Sequence, residues 1–281
     1  MAHTCFDVSI RDKIAHIVLN RPEKRNSMVP EFWDELPAII ADLDDFVKAR
    51  VIVISSTGPH FTAGMDVSSF NDGHLDADDE MARRQHGARF YHNVRHLQKS
   101  FSCLEECRLP VLAAIQGGCI GGGVDLATAC DMRYATEDAF FTIFETNIGM
   151  TADVGTFPRI VKLIPEGIAR ELAYTGRRMP AEEAQACGLV NQVYSGQAAM
   201  LDGVMGIAAE IASKAPLATY GNKRLITYAR DHSTADGLDY IGLWNASMLQ
   251  VAEIREAMAA NREKRPGNFA DLPVARRKRV E

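Results

Sequence analysis

Residues 116–155 have the sequence QGGCIGGGVDLATACDMRYATEDAFFTIFETNIGMTADVG, and the rest of the chain is organised around this stretch. The apolar run at 111–115 just before it predicts a buried strand. Five glycines follow between Gly117 and Gly123, and an apolar helical pattern begins at Val124. Glycines between a strand and a helix permit positive φ and let a ligand approach the backbone closely. Because the first N–H groups of such a helix lack partners within it, this turn offers a place for negative charge.

The glycine pattern does not match two familiar nucleotide-binding motifs. No Gly-Lys-Ser/Thr follows the glycines, which excludes a P-loop. The glycine spacing also differs from the Rossmann fingerprint, and the strand lies deep in the chain. A tight turn with close helix–sheet packing is the simpler alternative, and the glycines alone favour it.

Three carboxyl groups near these glycines favour a functional site over a purely structural turn. Asp125 stands at the start of the apolar helix, Glu145 follows an aromatic-rich strand pattern, and Asp153 has small and apolar neighbours. A lone buried carboxylate is costly unless it is paired or protonated, so three around one turn predict a shared site with separated pKa values. Each also has a structural alternative. Asp125 and Asp153 could cap helices, and Glu145 could be a surface residue at a strand end.

Segments along the whole chain resemble the signatures of the enoyl-CoA hydratase/isomerase (crotonase) superfamily. They are NRPEKRNS at 20–27, FTAGMD at 61–66 and AAIQGGCIGGGVDL at 113–126, and the similarity continues to the C-terminal segments at 255–258 and 263–265. The resemblance implies an α/β fold, a crotonase-like superhelix of ββα units with a C-terminal helical oligomerisation region.

The carboxyl pattern resembles one branch of that family, the Δ3,5-Δ2,4-dienoyl-CoA isomerases. The hydratases of the family have glutamates at the positions of Asp125 and Glu145, and usually a glycine at the position of Asp153. The resemblance therefore implies isomerisation of 3,5-dienoyl-CoA to 2,4-dienoyl-CoA in fatty-acid β-oxidation. Two alternatives stay open: an enoyl-CoA hydratase that adds water to 2-enoyl-CoA, and a subunit that binds acyl-CoA without turnover.

The same resemblance implies roles for individual residues. Asp153 is expected to be the base at the carbon next to the thioester and Glu145 the acid at the far end of the diene, with Asp125 lying between them and tuning their proton affinities. The backbone N–H groups of Met65 and Gly122 are expected to form the oxyanion hole for the thioester enolate. No cofactor is expected, since coenzyme A is part of the substrate. The expected CoA-binding residues are Ala63, Gly64, Met65, Asp66 and Val67, with Lys24, Arg25 and Lys264 as phosphate partners.

Composition excludes several classes of partner. A chain of 281 residues can bury a large α/β core without a disulfide or metal staple. The net charge of −6 argues against a nucleic-acid binder, which must neutralise phosphates. No apolar run approaches the ~20 residues of a membrane helix. The eight histidines show no metal spacing, so no metal site is expected.

The cysteines and the chain ends lead to a prediction of location. None of the six cysteines forms a Cys-x-x-Cys pair, and scattered thiols suit a reducing compartment. Residues 1–5 leave no room for a targeting peptide before the first strand pattern, and the terminal RKRVE lacks a Ser-Lys-Leu address. These features predict a cytoplasmic protein.

Apolar periodicity predicts the order of the elements. Residues 5–20 predict a hairpin that turns at Asp12 and Lys13. A helix with an apolar stripe from Phe32 to Leu43 follows, and Pro37 is expected to kink or shorten it. The alternation of apolar strands with helices favours a layered ββα coil over an open Rossmann sheet. Further strands are predicted at 51–55, 111–115 and 189–193, and helices at 78–107 and 181–187.

The last part of the chain is predicted to be helical and to contact a partner. Residues 1–201 are expected to form the crotonase core for CoA-thioester binding and catalysis, and 202–281 a helical trimerisation region. Apolar residues in 236–262 lie on more than one helix face, which predicts burial against another subunit. The resemblance implies a homotrimer or a hexamer (a dimer of trimers). The basic tail at 264–281 is expected to be partly loose.

Overall fold

A computed structural model describes residues 3–66 and 80–275 and shows two sheets with helices on both sides. Six strands form the larger sheet in the order β1-β2-β3-β4-β6-β9, in which only the β1–β2 pair is antiparallel, and three form a smaller sheet in the order β5-β7-β8. The strands are β1 Phe6–Arg11, β2 Ile14–Leu19, β3 Val51–Ser56, β4 Val111–Ile115, β5 Gly118–Ile120, β6 Met132–Thr136, β7 Phe140–Thr142, β8 Met179–Pro180 and β9 Gln192–Tyr194.

The helices carry most of the remaining described chain. They are α1 Pro30–Asp45, α2 Glu80–Glu106, α3 Gly122–Ala129, α4 Thr156–Ile160, α5 Glu166–Thr175, α6 Ala181–Ala186, α7 Gln197–Ala212, α8 Pro216–Ala229, α9 Thr234–Met248 and α10 Val251–Glu263. Within the described residues, no helix is long and apolar enough to cross a membrane.

The first hairpin confirms its prediction. Asp12 and Lys13 have φ of 51° and 63° and join two strands that pair in register from Phe6–Leu19 to Arg11–Ile14. Left-handed conformations at both central positions match the right-handed twist of the strands, as in a type I′ turn.

The central strands β3 and β4 of the larger sheet are buried on both faces, which confirms the predicted layers. In β3, Ile52 and Ile54 belong to the main core with α1 and α2, whereas Val51 and Val53 pack in a second cluster. That second cluster is completed by side chains of α7, on the other face of the sheet. A strand buried on both faces has a continuous apolar sequence, which explains the run at 51–54. The predicted boundary at residue 201 falls within α7.

Two local features differ from the simplest expectation. Helix α1 is not shortened at Pro37 and continues to Asp45, because apolar side chains on both sides of the proline are buried, and this packing outweighs the lost hydrogen bond. The last strand begins at Gln192 and not at Leu189, since pairing with β6 starts only at Gln192; Leu189 is buried ahead of the strand.

The described part of the basic tail is held in place, and residues 276–281 lie outside the described residues. Asp271 accepts hydrogen bonds from Lys13 at 2.7 Å and Arg50 at 2.8 Å, and Leu272 is buried. Arg108 donates to the carbonyl of Pro273 at 2.7 Å. These contacts hold the chain after α10 against the N-terminal half.

Candidate active site

Glycines bring two sequence motifs into direct contact at the centre of the fold. Gly121, which precedes α3, has φ of 52°, and Gly64 has φ of 81°. A Cβ on Gly64 would lie 2.6 Å from the carbonyl oxygen of Ile120 and 3.2 Å from the backbone nitrogen of Gly122. The positive φ at both positions favours glycine, and a side chain at Gly64 would also clash with the backbone of the glycine turn. The loop at 61–66 therefore lies directly against the glycine turn.

A third motif joins this pair through the backbone. Met28 donates its N–H to the carbonyl of Gly64 at 2.8 Å, and Asp66 donates to the carbonyl of Met28 at 2.9 Å. The N–H of Ala63 donates to the carbonyl of Arg25 at 2.9 Å. Segments far apart in sequence are thus held together by main-chain hydrogen bonds.

These segments enclose a cavity of about 130 Å³. The three predicted carboxyl residues line it, and so do Met65 and Gly122. Most of the remaining lining is apolar, which makes the cavity a place of low dielectric for any charge. Its apolar lining includes Trp33, Phe90, Val94, Leu97, Phe144, Ile148, Met150 and Val154.

Two backbone donors on the cavity wall have no acceptor among the described residues. A Cβ on Gly122 would lie 3.7 Å from the nitrogen of Met65, so the two residues are close neighbours. Within residues 3–66 and 80–275, neither the N–H of Met65 nor that of Gly122 donates a hydrogen bond. Gly122 is the first residue of α3, where a helix leaves its N–H groups without internal partners. Together they can stabilise an oxygen that gains negative charge.

Asp125 is the most deeply buried of the three carboxyl groups, at 1% exposed. Burial raises its pKa to about 7, the charge of Glu145 adds to the rise, and Thr156 and Arg159 oppose it. Its Oδ1 is buried with no hydrogen-bond partner in the described part of the chain. The N-cap of α3 is Gly121, so Asp125 does not cap that helix.

Glu145 opens a short 3-10 turn after β7, and its carboxyl group points back at the glycines. A Cβ on Gly121 would lie 3.0 Å from its Oε1. Its Oε2 is buried and has no partner among the described residues. Burial raises the pKa of Glu145, and the charge of Asp153 adds to the rise. The alternative of a surface residue at a strand end is therefore wrong.

Asp153 is half-buried, and its pKa is raised by burial. The N-cap of α4 is Gly155 and has no side-chain cap, so Asp153 does not cap a helix either. The charge of Glu145 raises the pKa of Asp125, and the charge of Asp153 raises the pKa of Glu145. That Asp125 lies between the other two stays a prediction.

Burial disfavours the ionised form of all three carboxyl groups, and a neighbouring carboxylate adds to this at Asp125 and Glu145. A cavity of this kind can hold one carboxyl group as an acid beside another that acts as a base. Such a set can remove a proton from one carbon of a bound molecule and add a proton to another.

The predicted phosphate partners are placed unequally. Lys24 and Arg25 are exposed, and the carbonyl of Arg25 binds the loop at Ala63. Lys264 is exposed at the end of α10 and does not line the cavity. Val67 lies outside the described residues. Among those described, no group of three His, Cys, Asp or Glu could hold a metal ion.

Sequence analysis missed the polar residues that surround Asp153. Gln98 donates to the carbonyl of Asp153 at 2.7 Å, and Arg159 donates to the carbonyl of Gly155 at 3.3 Å. Glu105 holds Arg159 at 2.7 Å. The sequence feature that could have revealed these residues is a row of polar side chains on α2, spaced four and three residues apart, beside the apolar face of the helix.

Comparisons with known proteins identify the family of this chain. The model of the family "Enoyl-CoA hydratase/isomerase" matches residues 9–272. The mitochondrial Delta(3,5)-Delta(2,4)-dienoyl-CoA isomerase of Homo sapiens is 41% identical over 94% of this chain and 81% of its own length. The peroxisomal enzyme of that name from Arabidopsis thaliana is 38% identical over 92% of this chain and 93% of its own. The resemblance stated from the motifs is confirmed.

Solved structures agree on the fold. The putative enoyl-CoA hydratase from Streptomyces coelicolor A3(2) superposes with a TM-score of 0.85 at 26% identity, over 96% of this chain and 95% of that one. The enoyl-CoA hydratase from Bacillus anthracis gives 0.83 at 29% identity, over 95% and 99%. The predicted crotonase-like α/β fold is confirmed.

The predicted cytoplasmic location is wrong. The similar dienoyl-CoA isomerases are named mitochondrial or peroxisomal. All six cysteines are free thiols in the structure. Free thiols indicate a reducing compartment, but the cytoplasm is only one of several such compartments.

Proposed function

The chain belongs to the enoyl-CoA hydratase/isomerase family, and on that premise we propose that it isomerises 3,5-dienoyl-CoA to 2,4-dienoyl-CoA. One observation carries the proposal: Asp125, Glu145 and Asp153 line a single cavity together with the N–H groups of Met65 and Gly122. The similar proteins named dienoyl-CoA isomerase, at about 41% identity, support the same activity.

The reaction moves two double bonds through two proton transfers. The ionised carboxylate of Asp153 takes a proton from C2, next to the thioester. The electron pair released there is held first as the thioester enolate and then forms the C2=C3 bond, while the C3=C4 pair moves to form C4=C5. The C5=C6 pair takes the proton that the protonated carboxyl group of Glu145 delivers to C6, and Glu145 is left ionised. Burial raises the pKa of Glu145 and so favours the protonated form that this step requires.

Asp125 sets the proton affinity of Glu145 without touching the diene ends. Its pKa of about 7 reflects burial and the charge of Glu145, so ionisation of either group disfavours ionisation of the other. Each turnover leaves Glu145 ionised and Asp153 protonated, and proton exchange with solvent restores the starting forms.

The two backbone N–H groups stabilise the intermediate. Removal of the C2 proton places negative charge on the thioester oxygen, and Met65 and Gly122 donate to that oxygen. One such donor contributes about 10²–10³ in rate. Because the apolar cavity excludes most water, the two hydrogen bonds are stronger than they are in solvent.

The CoA part of the substrate extends from the cavity along the loop that carries these donors. Ala63, Gly64, Met65 and Asp66 supply backbone groups there, and exposed Lys24 and Arg25 are the phosphate partners at the adjoining N-terminal motif. Lys264 remains a third phosphate partner in this proposal, contributed from the C-terminal part. The reaction needs no cofactor, since only protons move.

The C-terminal helices mediate assembly into homotrimers or pairs of trimers. Large apolar side chains on α9 and α10 are exposed in one chain, among them Leu238 at 66% and Met258 at 68%. An exposed apolar face of this extent marks a protein interface. A mass near three or six chains by light scattering supports this assembly, and a monomer contradicts it.

The experiment that tests the function follows absorbance. Purified protein is given 3,5-dienoyl-CoA, and formation of the conjugated 2,4-dienoyl thioester is recorded beside hydration of a 2-enoyl-CoA. Fast isomerisation with little hydration is the expected result. Fast hydration without isomerisation makes the protein a hydratase, and tight binding of both substrates without turnover makes it a binding subunit.

A further inference from the structure

A polar frame outside the cavity holds the turn that carries Asp153. Gln98, Ser102 and Glu105 lie on one face of α2, at spacings of four and three residues. Each of the three contacts the segment from Asp153 to Arg159. None of them takes part in the proton transfers proposed above.

Gln98 is fixed at both ends of its side-chain amide. Its Nε2 donates to the carbonyl oxygen of Asp153 at 2.7 Å, and its Oε1 accepts from Arg95 at 2.8 Å. A hydrogen bond to the main chain of Asp153 restricts the direction in which the Asp153 side chain leaves the backbone. The half-buried carboxyl group is thereby aimed at the cavity that it lines.

The side chain of Arg159 packs against the same turn. Its guanidinium is held by Glu105 at 2.7 Å and by Ser102 at 3.1 Å, and it donates to the carbonyl of Gly155 at 3.3 Å. Gly155 has φ of 132°, and a Cβ there would lie 1.9 Å from Nη1 of Arg159. The guanidinium occupies the space that any other residue at 155 would need.

Arg159 also places a positive charge near Asp125. The groups that act on Asp125 are Glu145, Thr156 and Arg159, and the buried thiol of Cys119 is a further neighbour. Of these, Arg159 is the cation, and it opposes the rise in the pKa of Asp125.

The charge of Arg159 is only partly neutralised by its partner. Glu105 is shared, since its other oxygen accepts from Arg230 of α8 at 2.7 Å. Two guanidinium groups therefore share the carboxylate of Glu105, while Asp231 also interacts with the charge of Arg230. Arg159 is 8% exposed, so water screens its charge weakly.

We propose that Arg159 is a positioning residue of the isomerisation, and that Gln98 and Glu105 act with it to fix the Asp153 turn. Arg159 touches no substrate atom in this scheme. It acts through Asp153, whose turn it holds, and through Asp125, beside which it maintains a positive charge. This inference rests on the proposed function, because it concerns the same carboxyl groups.

The first test separates positioning from binding. Gln98→Met removes the hydrogen bond to the carbonyl of Asp153 and keeps the side-chain volume. The kcat for dienoyl-CoA is expected to fall about tenfold while KM changes less than about twofold, since the misplaced group acts on the transition state. Gln197→Met is the matched control, because Gln197 donates to the carbonyl of Ser56 at 3.1 Å and does not line the cavity.

The second test measures the charge directly. In unliganded protein with ¹³C-labelled aspartate, the titration of Asp125 is followed by NMR. Because a cation favours the ionised carboxylate, Arg159→Gln is expected to raise the pKa of Asp125 by about one unit, and Arg159→Lys to restore it. The lysine lacks the planar fork, so kcat stays low in that variant. If Arg159→Gln does not fold, Glu105→Gln carries the test: more free positive charge then lowers the pKa of Asp125.

The two tests distinguish this inference from the proposed function. Wild-type protein that does not turn over dienoyl-CoA contradicts the proposed function, and the NMR titration then decides the inference alone. A pKa of Asp125 that stays unmoved in both charge variants, with a kcat of Gln98→Met equal to that of Gln197→Met, overturns it. A purely structural role would lower stability without splitting kcat from KM or shifting the pKa.

Discussion

Two aspartates at opposite ends of α3 show two uses of a buried polar group. Asp131, just after the helix, accepts from Lys223 at 2.9 Å and from the N–H of Val111 at 2.7 Å. Asp125, in the first turn, keeps an oxygen with no partner in the described part of the chain and has a pKa raised to about 7. A partnered group holds the fold, whereas an unpartnered one is a cost to stability that function explains.

The partnered region joins the C-terminal helices to the core. Lys223 on α8 is 7% exposed and donates to the carbonyls of Leu104 at 2.5 Å and Leu109 at 2.8 Å as well as to Asp131. Every proton of its ammonium group is used. This region is expected to determine stability, and the cavity around Asp125 is expected to determine rate.

The largest expected effect is a loss of kcat when either group that exchanges a proton with the substrate is replaced. Asp153→Asn and Glu145→Gln each remove a group that gives or takes a proton, so kcat should fall by about 10²–10⁴. Thermal unfolding should stay at or above that of the wild type, because the amides remove a buried acid. Absorbance assays and calorimetry measure both quantities. Turnover close to wild type in both variants would contradict the assignment.

The second expected effect is a loss of stability when Lys223, at the centre of the partnered region, is replaced. Lys223→Met removes a buried cation that donates to two carbonyls and to Asp131, so the free energy of unfolding should fall by about 3–5 kcal/mol. Urea unfolding measures the loss, and kcat of the folded protein should stay within about threefold of wild type. Lys162→Met is the matched control, since Lys162 pairs with Asp231 at the surface and should cost less than about 1 kcal/mol. Equal losses in the two variants would remove the distinction.

The third expected effect is a gain in stability when the carboxyl group of Asp125 is replaced by an amide. The pKa of Asp125 is raised from 3.8 to about 7, so the folded state holds its proton more tightly than the unfolded state. The resulting stability is complete below about pH 4 and is lost as pH rises towards 7. Asp125→Asn should therefore gain stability relative to wild type across that window, by on the order of 1–3 kcal/mol at pH 8.

The same variant should lose activity less than the other two. Since Asp125 acts only through Glu145, kcat is expected to fall about tenfold. Unfolding curves at pH 4, 6 and 8 provide the stability series. A difference between Asp125→Asn and wild type that does not change with pH would show that Asp125 does not titrate in this range.

The smallest effect lies in the exposed contacts of the tail. Asp271→Asn weakens the pairs with Lys13 and Arg50, and should cost about 1 kcal/mol or less because these side chains are partly solvated. Catalysis should be unchanged. A loss as large as that of Lys223→Met, measured by the same urea unfolding, would mean that the tail is a principal part of the core.

Local patterns in the sequence predicted much of the fold. Left-handed residues at Asp12 and Lys13, the apolar run of β3 and the glycines before α3 each restrict the backbone over a few residues, so their structure follows from local chemistry. Pro37 shows the limit of such arguments. Burial of the apolar stripe of α1 comes from tertiary packing, which overrides the local preference of a single residue.

The candidate site was less accessible to sequence reasoning. The motifs identified Asp125, Glu145 and Asp153, but the approach of the Glu145 carboxyl group to Gly121 depends on how the chain after β7 meets the glycine turn. The hydrogen bond from Gln98 to Asp153 joins residues 55 positions apart, and no periodicity connects them. Which polar groups end without a partner is a property of the packed core, and sequence patterns do not contain it.

The central claim is that two different carboxyl groups move the two protons, and isomerisation in D₂O tests it most directly. NMR of the 2,4-dienoyl-CoA formed at early times gives the deuterium content at C6. Because Asp153 removes the C2 proton while Glu145 delivers a solvent-exchanged one, the account predicts one deuterium at C6 in nearly every product molecule. Product with the original C2 hydrogen at C6 would mean that a single carboxyl group carries the proton across, and would contradict the account.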